Sequence, residues 1–127
     1  MRHLTRIPMV LCSLLLAGSA HGEYVNFEAP HVHPIAVTGS RLLVVNTPDA
    51  RLEVFTIGSN GVLTREASIP VGLEPVSVLA RSASEAWVAN HLSDTVTIVD
   101  LDAGTAVRTL HVGDEPTDIA FAAGQGP

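Results

Sequence analysis

Three prolines set the constraint that any fold of this chain must satisfy. Pro34, Pro75 and Pro116 stand 41 residues apart, and each is followed three residues later by a β-branched residue: Val37, Val78 and Ile119. Val71-Gly72-Leu73-Glu74 leads into the second proline, and Val112-Gly113-Asp114-Glu115 into the third. Deeper in each unit, Val44-Val45-Asn46 answers Val88-Ala89-Asn90, and Leu52 and Val54 answer Val96 and Ile98. The second unit has three more residues before its asparagine and three fewer after it, so the period survives by compensation. A unit of this length cannot bury its own apolar faces, and repetition at a fixed period means that neighbouring units bury them for each other.

The pattern inside each unit is that of short strands. The sequence predicts strands over Pro34–Thr38, Leu42–Asn46, Arg51–Ile57 and Arg65–Pro70, then Pro75–Leu79, Glu85–Asn90, Asp94–Asp100 and Thr105–His111. Gly39-Ser40 fits a two-residue hairpin loop, and Asn60-Gly61 is a hairpin turn signal. Proline at the head of the first strand is tolerated because its missing N–H falls at a strand end. No amphipathic helix is visible after residue 22. The expected class is all-β: a β-propeller of four-stranded antiparallel blades, with residues 34–74 as one blade, 75–115 as a second and 116–127 as the first strand of an incomplete third. A ring typically takes 4–8 blades of about 40 residues. The expectation is therefore the N-terminal portion of a longer protein, with remaining blades supplied by the same or another chain. Residues 23–33 form a lead-in segment, within which Tyr24–Glu28 aligns with the last strand of a unit and is expected to fasten the ring's two ends together.

The first 22 residues belong to a different layer of information. Arg2 and Arg6 precede an apolar run from Ile7 to Ala17, and small residues follow at Gly18, Ser19, Ala20 and Gly22. This is the order of a secretory signal peptide, and the run is too short to span a bilayer. The expectation is export to the periplasm or medium, with cleavage between Ala20 and Glu23. Cys12, the single cysteine, leaves with the signal, so no disulfide, thiolate nucleophile or cysteine-ligated metal follows. Five arginines and no lysine then face thirteen acids, a net charge of −8. Such a surface disfavours nucleic acid and anionic membrane and prefers a cationic protein or small molecule.

Strands in a blade alternate in direction, which gathers the second-to-third-strand turns and the connections between blades on one side. His31, His33, Glu74, His91, Asp114 and Glu115 stand there. His33, Glu74 and Glu115 occupy one repeat position, directly before the prolines, and are expected to ring the mouth of a central channel. His31-x-His33 could supply imidazole ligands to a metal or haem, yet two solvated histidines satisfy the same pattern. Neither a zinc signature nor a haem-attachment motif occurs, and no cofactor, metal set or catalytic residue is assigned. Asn46 and Asn90 are expected to bond turn backbone. Trp87 is expected to pack between blades rather than form a platform, and Gly72 and Gly113 to serve as turn glycines.

Residues from about Val25 onward resemble the YVTN family of β-propeller repeats. The resemblance is carried by Gly72-Leu73-Glu74-Pro75, Gly113-Asp114-Glu115-Pro116, Trp87-Val88-Ala89-Asn90, Val96-Thr97-Ile98-Val99-Asp100 and Val107-Arg108-Thr109-Leu110. The first unit departs from it: Val44-Val45-Asn46 lacks the aromatic residue, and Leu52-Glu53-Val54-Phe55, with Asn60-Gly61-Val62-Leu63, is similar to lactonase-type propellers. Repeated structural residues without a catalytic signature, behind an export signal, point to an exported scaffold or binding module in this portion. The alternatives that the resemblance implies are the propeller part of a haem-associated redox protein and a lactonase-like hydrolase. Fold resemblance supports architecture far more than activity.

Overall fold

The computed structural model describes residues 29–122. The expected signal peptide, Cys12 and the expected ring-closing strand Tyr24–Glu28 lie outside the described residues. Strands β1 (Ile35–Thr38), β2 (Arg41–Asn46), β3 (Arg51–Ile57) and β4 (Leu63–Pro70) form one antiparallel sheet in chain order. Strands β5 (Pro75–Ala80), β6 (Glu85–Asn90), β7 (Thr95–Asp100) and β8 (Thr105–His111) repeat that sheet. The described residues contain no helix.

Local chemistry explains the turns. Gly39 (φ 56°) takes the left-handed conformation between β1 and β2, where a glycine meets no steric penalty. Between β3 and β4, Gly61 does the same at φ 78°, and Asn60 Oδ1 accepts a hydrogen bond from the Val62 amide at 3.1 Å. The ladder reaches back to Leu63 and Thr64, opposite Ile57 and Thr56, so β4 begins two residues before its expected start. Asp94 stands at φ 54°, outside any strand geometry, and β7 therefore begins at Thr95. A bulge recurs at equivalent places, between Val54 and Phe55 in β3 and between Ile98 and Val99 in β7. Each adds local twist to its sheet.

The sheets pack face to face in the same sense, with β1 beside β5 and β4 beside β8. Leu43, Val45, Leu52, Val54 and Ile69 of the first sheet meet Val78, Ala86, Val88 and Val99 of the second, and Leu101 beyond β7 joins them. The contact is head to tail. Leu52 and Val54 face the second sheet, whereas their counterparts Val96 and Ile98 lie on that sheet's far side, outside the shared core. Conversely, Val88 faces the first sheet, while its counterpart Val44 lies on the first sheet's outer face with Ile35 and Val37, which are 58% and 61% exposed.

Near Pro116 the structure departs from expectation. Residues 116–122 form no strand. A strand exists through its ladder, and among the described residues no partner strand lies beside this segment.

Candidate functional site

The β2–β3 and β6–β7 turns and the connections after β4 and β8 share one side of the molecule. They are held by repeated backbone bonds: the Val71 amide donates to the Ala50 carbonyl at 3.0 Å, and the Val112 amide donates to the Asp94 carbonyl at 3.0 Å. Ala50, Glu74, Asp94 and Glu115 all take left-handed backbone conformations, with φ between 50° and 54°. Non-glycine residues rarely do so.

The six candidate residues fall into separate groups on this side. The carboxylate of Glu74 accepts a hydrogen bond from the Ala29 amide at 2.6 Å, and its backbone carbonyl accepts from the His91 amide at 2.9 Å. His91 Nε2 lies 3.9 Å from Glu115 Oε2, and its Nδ1 is enclosed without a partner. The Glu115 amide donates to Asp94 Oδ1 at 2.9 Å. His31 Nε2 bonds the Thr47 hydroxyl at 2.6 Å. Asp114 is exposed and has no hydrogen-bond or ion-pair partner among the described residues. No side-chain bond links His33, Glu74 and Glu115 to one another, although the repeat gives them one position.

His33 belongs to a cluster that includes two residues not among the six. Its Nδ1 lies 2.8 Å from Asp118 Oδ1, which also accepts from Ser77 Oγ at 3.0 Å and from the Ile119 amide at 2.8 Å. Ser77 is completely buried. His33 pairs with Ser77 in a parallel bridge, which sets the lead-in segment against β5. The hydrogen bond from His33, then that from the Ile119 amide, hold the Asp118 carboxyl below its ordinary range against desolvation, with a smaller contribution from Ser77. The one signal available in sequence was register: Ser77 and Asp118 both stand two residues after a repeat proline.

These three residues do not form a nucleophilic relay. The serine hydroxyl donates to the carboxylate, and the imidazole sits on the carboxylate's other side. A Ser–His–Asp relay needs the imidazole in the middle, where it can take the hydroxyl proton.

The asparagines act differently from expectation. Asn46 Nδ2 donates to Asp49 Oδ2 at 2.9 Å, and buried Asn90 donates to Thr95 and Thr97 hydroxyls at 3.1 and 2.9 Å. These are side-chain partners, not turn backbone. Gly72 serves close approach rather than unusual φ: a β-carbon there would collide with Ser93 Oγ and lie 2.7 Å from Asn90 Cβ.

Two clefts form away from these residues. One, of about 480 Å³, lies on the opposite side by Gly39, Ser40, Arg41 and Glu66. Arg41 is already engaged there, donating to both Glu66 oxygens, to Asp102 and to the Ala83 carbonyl. The other, of about 500 Å³, lies on the outer face of the second sheet by Trp87, Ile98, Arg108 and Leu110. Trp87 Nε1 donates to Glu85 at 2.7 Å, and Phe121 meets the indole edge to face at 5.3 Å. No helix among the described residues is long and apolar enough to cross a membrane.

No protein-family model matches the chain. No curated protein matches it either. Among solved structures, it is similar to a functionally unknown protein from Desulfotomaculum acetoxidans DSM 771, with TM-score 0.63 and 18% identity over 69% of this chain and 31% of that one. It is also similar to Kuenenia stuttgartiensis hydrazine synthase, with TM-score 0.59 and 22% identity over 80% of this chain and 29% of that one. At these identities the likeness is one of fold. The chain spans about a third of the length of each.

Proposed function

We propose that this chain contributes two adjacent blades of a YVTN-type β-propeller that is exported and works as a binding scaffold. The observation that carries the reading is the head-to-tail packing of two equivalent sheets. The face bearing Leu52 and Val54 covers the next sheet, and the equivalent face bearing Val96 and Ile98 is turned outward. An arrangement of that kind has no internal stopping point. Further sheets would cover the outer faces until a ring closes, which is how radial repetition protects its faces and edges. The blade boundaries remain 34–74 and 75–115, as the proline spacing sets them.

Scaffold is preferred over enzyme on geometry. Among the described residues, the bonded grouping of Ser77, His33 and Asp118 is wired in the wrong order for nucleophilic attack. The acidic balance favours a cationic protein or small molecule as partner. Two assays on the exported protein test this reading. The scaffold reading expects no hydrolysis of sugar lactones and no haem absorbance after purification from a haem-replete host. Turnover of a lactone, or a covalently held haem, would replace it with the hydrolase or the redox reading. Export itself is tested by mass spectrometry of the mature species, whose first residue is expected between His21 and Glu23.

A further inference from the structure

The lead-in segment breaks the repeat where the repeat should govern it. Glu74 and Glu115, directly before their prolines, are left-handed at φ 54° and 50°, and the Glu74 carbonyl accepts from the His91 amide of the unit it enters. His33 holds the same repeat position but is not left-handed, and its carbonyl accepts from the Val78 amide of the following unit at 2.8 Å. The Val32 amide donates to the Val76 carbonyl at 3.1 Å, and His33 and Ser77 form a parallel bridge. β5 is an edge strand of its sheet. An edge strand presents outward N–H and C=O groups, and residues 32 and 33 take up two of them as an added strand would. Three further bonds hold this strap: the Ala29 amide to Glu74 Oε1 at 2.6 Å, His31 to Thr47 at 2.6 Å and His33 to Asp118 at 2.8 Å. Val32 remains 42% exposed, so hydrogen bonds more than apolar burial keep the strap in place.

We infer that the edge of β5 turned away from β6, with Glu74 at its head, is a docking site for an extended peptide whose amino end faces Glu74, and that residues 29–33 occupy this site as a strap. Strand addition of this kind draws its affinity from main-chain hydrogen bonds, which any extended peptide can supply. Selectivity comes from the head of the site. A peptide that begins where Ala29 does places its ammonium at the Glu74 carboxylate, and that bond is charge-assisted where the strap's amide bond is not. The acidic balance of the chain acts in the same direction. Three of the six candidate residues are thereby accounted for together: His31 and His33 belong to the strap, and Glu74 is held by it. Cleavage of the signal at its expected place leaves the strap close to a free amino terminus, where a segment can peel away without unthreading. The inference deepens the scaffold reading by naming its ligand class and rests on that reading for the compartment. The strap's own contacts need no further blade.

The test uses the exported full chain and, as probe, a peptide with the sequence of residues 29–34, labelled at its carboxyl end and made with a free or an acetylated amino terminus. Val32→Pro removes the amide that bonds Val76, and the pair His31→Ala with His33→Ala removes the strap's side-chain bonds; neither alters the site beneath. Fluorescence anisotropy should show each loosened chain binding the free-amine peptide more than about tenfold tighter than the unaltered chain, whose site is competent only when the strap is off. The Val78 amide should exchange its hydrogen faster in the loosened chains, and added peptide should restore its protection. The acetylated peptide should bind several-fold more weakly than the free amine, and Glu74→Gln in the Val32→Pro chain should abolish that difference. Circular dichroism identifies a variant that fails to fold, and the histidine pair keeps the test open if Val32→Pro does. Equal peptide affinity in folded loosened and unaltered chains, or binding that leaves Val78 unprotected, would overturn the site. Equal affinity for the two peptides would overturn the role of Glu74. A dimer that appears on loosening, with no peptide bound, would put a second copy's lead-in segment in the site and overturn the peptide assignment. Lactone turnover or bound haem would remove the scaffold reading and leave these binding results standing.

Discussion

Gly72 has conformational freedom that it does not use; its value is the missing β-carbon. Replacing it with alanine pushes a methyl group into Asn90 and Ser93, which join the second sheet to the β4–β5 connection. The expected loss is about 1–3 kcal/mol, the usual cost of overpacking. Gly113, its repeat counterpart, has no atom within 4 Å of the same position, so Gly113→Ala should change the chemical-denaturation midpoint little. Equal losses at the two glycines would contradict the close-approach argument. The sequence made Gly72 and Gly113 look interchangeable, because spacing reports register and says nothing of what lies opposite. Asp118 was hidden for the same reason. Its partners His33 and Ser77 are 85 and 41 residues away, and only packing brings them together. His31, His33, Glu74 and His91 were legible as residues on one side, but their separation into distinct clusters depends on side-chain direction, which spacing alone leaves open.

Among the elements, β3, β6 and β8 fall within the bounds that alternation and turn chemistry predict, since apolar strands between strong turns leave little freedom. The ends of β4 and β7 shifted where a hairpin ladder or a left-handed residue decided the boundary. Two predictions belong to this scale. Ile98 is 8% exposed on the outer face of β7. Ile98→Asp replaces a buried apolar side chain with a carboxylate whose nearest counter-charges are Arg108 across the ladder and Arg81 in the same cleft, and should still cost about 1–3 kcal/mol. An unchanged melting temperature would contradict the register of β7. Arg41, at the start of β2, ties its own sheet to the other by bonding Glu66 and Asp102. Its hydrogen bonds hold the Glu66 carboxyl below its ordinary range, helped by the Thr56 hydroxyl. A lowered carboxyl contributes stability above its unfolded pKa and loses it as pH falls through the folded value. The stability difference between the unaltered chain and Arg41→Gln should therefore be greatest near neutrality and shrink as pH drops below about 4. Urea titrations at pH 7 and pH 3 measure it, and a difference that grows on acidification would rule out the ion-pair account.

At the scale of the molecule, two equivalent sheets stacked in one sense leave Ile35 and Val37 exposed at one end, while at the other the face bearing Trp87 and Ile98 meets no third sheet among the described residues. Two sheets that sealed a sandwich would turn equivalent faces toward each other and polar faces outward. Here unlike faces meet, and the outward faces keep apolar residues. The repeat of 41 residues foretold such stacking, because its counterparts Leu52 and Val96, or Val44 and Val88, carry apolar side chains on both faces. The direct test is electron microscopy of the protein purified from its native source. A ring of radial blades around a central channel is expected, with a further sheet packed on the face that bears Val96 and Ile98. A compact two-sheet particle with that face in solvent, and no ring, would contradict it.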